Sequence, residues 1–97
     1  MSGPKVYHFG HETWPGLAKV MEESAELQVV LAKVVGMGGK DTYYDGRDLR
    51  GEMQDEIADL AAALQFLARA NGLDAEAIDE RMHRKLELFE RWHREGT

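Results

Sequence analysis

Residues 17–35 read LAKVMEESAELQVVLAKVV, and this stretch decides the fold. Its apolar residues recur at steps of three and four, which is the spacing of one face of an α-helix. Thr13 precedes the stretch as a candidate N-cap, Pro15 is tolerated in a first helical turn, and glycines follow. The pattern therefore predicts a helix over about residues 15–35. Its apolar stripe consists of Leu17, Val20, Met21, Leu27, Leu31, Val34 and Val35.

The same periodicity appears twice more along the chain. It predicts helices over about residues 48–71 and 74–94, with Asp48 and Asp74 as their N-caps. The apolar stripe of the second helix consists of Met53, Ile57, Leu60, Ala61, Leu64 and Leu67. The apolar stripe of the third helix consists of Ile78, Met82, Leu86, Phe89 and Trp92.

The remaining segments are an irregular arm and a loop. The arm covers residues 1–14, and the loop over residues 36–47 is rich in glycine and aspartate. Tyr43 and Tyr44 in this loop either line a pocket or pack the loop itself. No segment alternates polar and apolar residues with period two, so we expect an all-α chain and a single domain over residues 1–97.

Composition excludes several classes of protein. The chain has 97 residues, a formal net charge of −6 and no cysteine. An acidic chain lacks the basic face that a nucleic-acid polymer requires, although bound divalent cations can reverse the local charge. The longest uninterrupted apolar run covers only residues 60–64, whereas a membrane span needs about 20 residues. We therefore expect a cytoplasmic protein that binds neither nucleic-acid polymers nor membranes.

Three amphipathic helices form an incomplete bundle. A chain this short buries only about 60–65% of its unfolded surface, so a core built by one copy is marginal. Further copies would cover apolar faces that one copy leaves exposed. We therefore expect a helical bundle completed by homo-oligomerisation.

Acidic residues are concentrated on the first two helices. The first contains EESAE at residues 22–26, and the second contains EIAD at residues 56–59, with Glu52 one turn earlier. Residues three apart on a helix are neighbours, with Cβ atoms about 5–6 Å apart. Each helix can therefore offer two carboxylates to one cation. The four candidate ligands are Glu23, Glu26, Glu56 and Asp59.

The position of these acids around each helix points to a metal rather than to a solvated face. At about 100° per residue, three of the four lie beside or within the apolar stripe instead of opposite it. If the two helices pack antiparallel, the carboxylates converge at the edge of the seam and repel one another unless cations are present. Oxygen-only ligation indicates Mg²⁺, with Mn²⁺ as a possible substitute.

The pair of motifs resembles the MazG-like all-α nucleoside triphosphate pyrophosphohydrolases. Relatives in that family include dimeric dUTPases, dCTP pyrophosphatases and phosphoribosyl-ATP pyrophosphohydrolase. The segments AKVMEESAELQVVLAK and GEMQDEIADLAAALQFLARANGLD resemble its two motif helices, and the resemblance extends over roughly residues 11 to 90. It implies a four-helix core and an enzyme that splits a nucleoside triphosphate at the α-phosphate, releasing a nucleoside monophosphate and pyrophosphate. The expected role is control of the nucleotide pool or removal of aberrant nucleotides. Short relatives assemble as dimers or as dimers of dimers, so the resemblance favours a tetramer over a dimer.

The resemblance also implies roles for individual residues. It places magnesium on Glu23, Glu26, Glu56 and Asp59. Glu22 or Glu52 would act as a base or hold a further cation, and the sequence does not choose between them. The family often has a lysine and an asparagine on its last helix that face the phosphates, and Arg81 and Lys85 stand at these positions here.

Further candidate substrate contacts lie near the first helix. Lys19, one turn before Glu23, either reaches a phosphate or is a solvated lysine. His11 and Trp14 stand where one branch of the family contacts the nucleobase. Trp14 either stacks on a base or closes the helix start as a hydrophobic staple.

Two other functions compete with hydrolysis. One is a non-catalytic helical oligomerisation or interaction module whose acidic face is simply solvated. The other is a redox-active di-metal bundle, because Glu80–His83 and Glu90–His93 both fit the Glu-x-x-His pattern. Both pairs are on one helix, about 15 Å apart along its axis, so one chain cannot bring them to a common centre.

Overall fold

The computed structural model describes residues 13–96, which form three α-helices. They are α1 (Leu17–Gly36), α2 (Leu49–Ala70) and α3 (Ala75–Arg94). Within this part of the chain, the only β pairing is an isolated bridge between Thr42 and Asp48. The prediction of an all-α chain is therefore confirmed for the described residues.

The N-caps of α2 and α3 are the predicted ones. The Asp48 side chain accepts a hydrogen bond from the Gly51 N–H at 3.1 Å. The Asp74 side chain accepts one from the Ala77 N–H, also at 3.1 Å. Each aspartate thus satisfies one of the N–H groups that a helix start leaves without a partner.

The start of α1 differs from the prediction. The helix begins at Leu17, and its N-cap is Gly16 with no side-chain cap, so Thr13 does not cap it. The Leu17 N–H instead donates to the Trp14 carbonyl at 3.0 Å, which closes a turn before the helix. Gly16 has φ 90°, a conformation that other residues rarely adopt, so the turn depends on this glycine.

Helices α1 and α2 pack as an antiparallel hairpin. The Asn71 side chain donates to the Pro15 carbonyl at 2.9 Å and so ties the end of α2 to the start of α1. At the other end, the Leu49 N–H donates to the Asp41 carbonyl at 2.8 Å. The seam between the helices buries Val30, Leu49 and Ala63.

The seam lies on one edge of each predicted apolar stripe rather than at its centre. Met21 and Val35 of the α1 stripe are 66% and 77% exposed, while Val30, outside that stripe, is buried. On α2, Ile57 and Leu64 are 52% and 48% exposed. Both helices are thus rotated so that the acid-bearing edge of each stripe faces the neighbouring helix.

Helix α3 packs closely against neither α1 nor α2. All five residues of its predicted apolar stripe are exposed. The radius of gyration is 16.5 Å, whereas a compact domain of this length has about 12 Å. None of the described helices has the length and apolar character needed to cross a membrane.

Candidate metal centre

Two groups of carboxylates meet along the seam between α1 and α2. Glu23, Glu56 and Asp59 form one group, and Glu22, Glu23 and Glu26 form the other. Within each group, one oxygen of every carboxylate lies within 4.8 Å of the others. Glu23 belongs to both groups and connects them. The structure therefore brings together all four predicted ligands and Glu22.

The helical register explains why Glu23 and Glu56 face each other. Glu56 lies seven residues after Leu49 and seven before Ala63, two buried residues of the seam. Glu23 lies seven residues before the buried Val30. Seven residues are close to two helical turns, so both glutamates occupy positions at which apolar residues pack elsewhere in the seam.

These two glutamates are poorly compensated by protein groups. One carboxylate oxygen of each, Oε2, is buried and has no hydrogen-bond partner among the described residues. Loss of solvent raises the pKa of Glu23, and so does the charge of Glu26 beside it. The pKa of Glu56 is raised by the same two causes and by the charge of Asp59. A divalent cation would remove all of these penalties at once.

Glu22 and Glu52, the two candidates for a catalytic base, have different surroundings. Glu22 belongs to a carboxylate group and also forms an ion pair with Lys19 at 3.4 Å. Glu52 belongs to neither group, and its Oε1 lies 3.6 Å from Nη1 of Arg47. Its Oε2 is buried without a hydrogen-bond partner in the described part of the chain.

The predicted substrate residues are only partly assembled. Lys19 lies beside the carboxylate groups because it forms an ion pair with Glu22. Trp14 borders an apolar pocket with Leu17, Leu67 and Leu73, at the opposite end of the hairpin from the loop. His11 lies outside the described residues.

The expected contribution of α3 to the site is not seen within one chain. Arg81 and Lys85 are on this helix, which does not pack closely against α1 or α2. His83, from one Glu-x-x-His pair, has its Nδ1 at 2.8 Å from the carbonyl of Asp79 within the same helix. A di-metal centre therefore has no second helix to complete it within the described chain.

A cationic and aromatic cluster near the loop was not predicted. Lys33 Nζ lies 5.4 Å from the centre of the Tyr43 ring, and Arg47 Cζ lies 5.0 Å from it. Neither cation stood out in the sequence, because isolated lysines and arginines near loops are common. The relevant signal was the spacing of seven residues between Glu26 and Lys33, which places them on the same side of α1.

Comparison with known proteins does not assign a family. No protein-family model, curated protein or solved structure matches the chain. A function must therefore be argued from the carboxylate groups and from the resemblance of the two motifs.

Proposed function

We propose that this chain is a magnesium-dependent nucleotide pyrophosphohydrolase. It would convert a nucleoside or deoxynucleoside triphosphate and water into the monophosphate and pyrophosphate. The observation that carries the proposal is the placement of Glu23 and Glu56 in the seam, with Glu26 and Asp59 beside them. The resemblance of these motifs to MazG-like enzymes supplies the reaction.

The donor set fits a hard divalent cation. Every candidate ligand atom is a carboxylate oxygen, and buried oxygens of Glu23 and Glu56 lack hydrogen-bond partners in the described chain. Oxygen-only sets of this kind suit Mg²⁺ and Mn²⁺ better than zinc or copper. Glu23, Glu26, Glu56 and Asp59 would hold the cation. When bound, it would neutralise the triphosphate and make the α-phosphorus more susceptible to attack.

The residues around the ligands have separate tasks in this proposal. Glu22, which has a carboxylate oxygen within 4.8 Å of oxygens of Glu23 and Glu26, accepts the proton of the attacking water. The water oxygen bonds to the α-phosphorus, the bond to the bridging oxygen breaks, and pyrophosphate leaves with the electron pair. Lys19 presents its ammonium next to Glu22, where it can contact a phosphate.

Homo-oligomerisation is part of the proposal. The apolar stripe of α3 is exposed along its length, and the seam between α1 and α2 buries few side chains. A second copy would cover these surfaces and would bring further cations, Arg81 and Lys85 among them, near a carboxylate group. A tetramer is favoured over a dimer on the resemblance to short MazG-like proteins.

A non-catalytic oligomerisation module is the second candidate function. The exposed stripe of α3 favours it, since that stripe serves association with or without catalysis. The two functions differ in what they require of the seam. A module has no need for Glu23 and Glu56 at positions where apolar side chains would pack better.

A screen for pyrophosphate release tests the proposal. Wild-type protein is incubated with each common NTP and dNTP, in magnesium and in chelator. We expect release from at least one nucleotide, dependent on magnesium, and a loss of at least about 100-fold in Glu56→Gln. Asp55→Asn is the matched control, because it removes the same charge from an exposed neighbour outside both carboxylate groups.

Two results would overturn the hydrolase. One is no pyrophosphate release from any nucleotide by folded protein. The other is release that is equal in wild type and Glu56→Gln. Either result, combined with a stable oligomer, would favour the module.

A further inference from the structure

A groove lies between the last turns of α1 and the loop that follows it. Its volume is about 480 Å³, and its walls include Val29, Lys33, Met37, Tyr43 and Tyr44. This volume is within the range of small-molecule sites, which are mostly apolar with a few polar groups. The groove shares no lining residue with the carboxylate groups, so it needs an explanation of its own.

The two tyrosines give the groove a flat aromatic wall. Their ring centres are 4.6 Å apart, with the planes tilted by 54°. Tyr44 is 80% exposed, so most of its surface is open to a ligand. Any planar heterocycle can stack on such a ring, because stacking does not depend on which hydrogen-bonding groups the heterocycle carries.

Cation–π contacts and ion pairs hold Tyr43 of the aromatic wall in place. The Tyr43 ring is contacted by Lys33 and Arg47, which lie 5.4 Å and 5.0 Å from its centre. Arg47 is anchored in turn by Asp45, at 2.9 Å, and by Glu52, at 3.6 Å. The wall is thereby connected to α2 one turn before Glu56, so the groove and the carboxylates belong to one ordered unit.

The groove begins where the carboxylate groups end. Val29 lies three residues after Glu26 on α1, and Lys33 lies seven residues after it. At 1.5 Å per residue these steps are about 4.5 Å and about 10 Å along the axis, on the same side of the helix. This arrangement suits a ligand with two different ends. Its phosphates would lie at the carboxylate groups and its planar aromatic ring would lie in the groove.

Resting on the proposed hydrolase function, we infer that this groove is the nucleobase subsite, with Tyr44 as the stacking residue. Trp14, the aromatic residue expected to take this role, is placed less suitably. Its pocket is lined by Leu17, which lies nine residues before Glu26 and therefore about 180° around α1 from it. Trp14 therefore borders an apolar pocket with Leu17, Leu67 and Leu73 that shares no residue with the carboxylate groups.

Binding of nucleoside monophosphates tests this subsite without requiring catalysis. Tyrosine ring signals are followed by NMR in ¹³C-tyrosine-labelled protein, in chelator, during titration with each monophosphate and, separately, with inorganic pyrophosphate. We expect at least one monophosphate to shift signals of the loop tyrosines saturably and pyrophosphate to leave them in place. Tyr44→Ala should weaken the binding at least about fivefold, the low end of the effect of losing one base–aromatic stack.

Two variants complete the design. Tyr44→Phe keeps the ring and should bind within about twofold of wild type, since stacking does not need the hydroxyl. Trp14→Leu keeps an apolar side chain at the helix start and should also bind like wild type. Unshifted tyrosine signals, or unchanged affinity in Tyr44→Ala, would overturn the subsite, and so would a loss confined to Trp14→Leu.

The outcome is separable from that of the hydrolase. If pyrophosphate release fails but Tyr44 still governs binding of monophosphates, the groove is a base-binding site and the hydrolase is wrong. If release occurs and Tyr44→Ala leaves both KM and monophosphate binding unchanged, the hydrolase stands and the subsite is wrong.

Discussion

Glu56 is the residue whose position is hardest to explain without a ligand. It lies between Leu49 and Ala63 at heptad spacing, where a leucine would contribute apolar burial. Its Oε2 is buried without a hydrogen-bond partner in the described chain, and Glu26 and Asp59 add like charge. Such a group destabilises the fold at neutral pH unless something positive offsets it.

The raised pKa values of Glu23 and Glu56 predict how stability depends on pH. In the unfolded chain both groups ionise near the ordinary value of 4.5, whereas in the folded chain the pKa of each is higher. Folding is therefore favoured while they are protonated, and this contribution is lost as the pH rises from about 4.5 through the raised values. In chelator, we expect Tm to fall as the pH is raised from about 5 to about 7.

Glu56→Gln isolates the contribution of one carboxylate. The amide cannot ionise, so the variant should have a higher Tm than wild type at pH 7 in chelator and a shallower dependence on pH. Asp55→Asn should change the slope much less than Glu56→Gln, because the charge of Asp55 is the smallest of the causes that raise the pKa of Glu56 and Asp55 belongs to neither carboxylate group. Equal slopes in wild type and Glu56→Gln would show that Glu56 ionises in the fold as it does in water.

At the scale of elements, local signals predicted the helices well. Asp48 and Asp74 cap α2 and α3 as expected, since an aspartate before an apolar-periodic segment supplies its hydrogen bond locally. The start of α1 was not predicted, because Gly16 rather than Thr13 precedes the helix. Gly16 lies close to Phe66 of α2, and a contact between residues so far apart in the sequence cannot be predicted from a local pattern.

The rotation of α1 and α2 was also beyond local signals. Each apolar stripe is wide enough to serve two neighbours, and periodicity does not say which edge meets which helix. The sequence predicted the acids at the edge of the seam. In the structure, the seam itself lies along the acid-bearing edge of each apolar stripe. Glu23 and Glu56 therefore lie deeper than the sequence indicated, whereas the partial exposure of Met21 and Ile57 was not foreseen.

A pair of glycine substitutions tests the account of the α1 start. A Cβ at Gly16 would lie 2.7 Å from Cδ2 of Phe66, at a φ of +90°. Gly16→Ala should therefore lower the free energy of unfolding by about 1–3 kcal/mol in urea titrations. Gly36→Ala is the control, because a Cβ at that helical position meets nothing within 4 Å, and it should raise stability by about 0.5–1 kcal/mol. Equal effects of the two substitutions would contradict the close approach.

At the scale of the whole molecule, one copy is too open to account for a stable fold. The structure extends over 41 × 38 × 17 Å, and among its described residues the buried ones are Val30, Leu49 and Ala63. A core of this size does not offset the conformational entropy lost by three helices. We propose that association of copies through the exposed stripes supplies the missing burial.

Sedimentation equilibrium tests that association. We expect wild-type protein to be an oligomer, with a tetramer favoured over a dimer. Met82→Glu combined with Phe89→Glu should dissociate it, because both side chains are more than half exposed on the α3 stripe and would be covered in the assembly. Arg84→Glu, a charge change on the other side of α3, should keep the wild-type mass. A wild-type monomer would contradict the account.

The central claim is that the seam between α1 and α2 holds a divalent cation, and titration with Mn²⁺ observed by electron paramagnetic resonance tests it most directly. Wild-type protein should remove free Mn²⁺ from solution saturably, in competition with Mg²⁺. Glu56→Gln should weaken this binding at least about tenfold, the size expected when a ligand or its immediate support is lost, while Asp55→Asn should not. Binding of Mn²⁺ that is equal in all three proteins, or absent from wild type with nucleotide present, would contradict the claim.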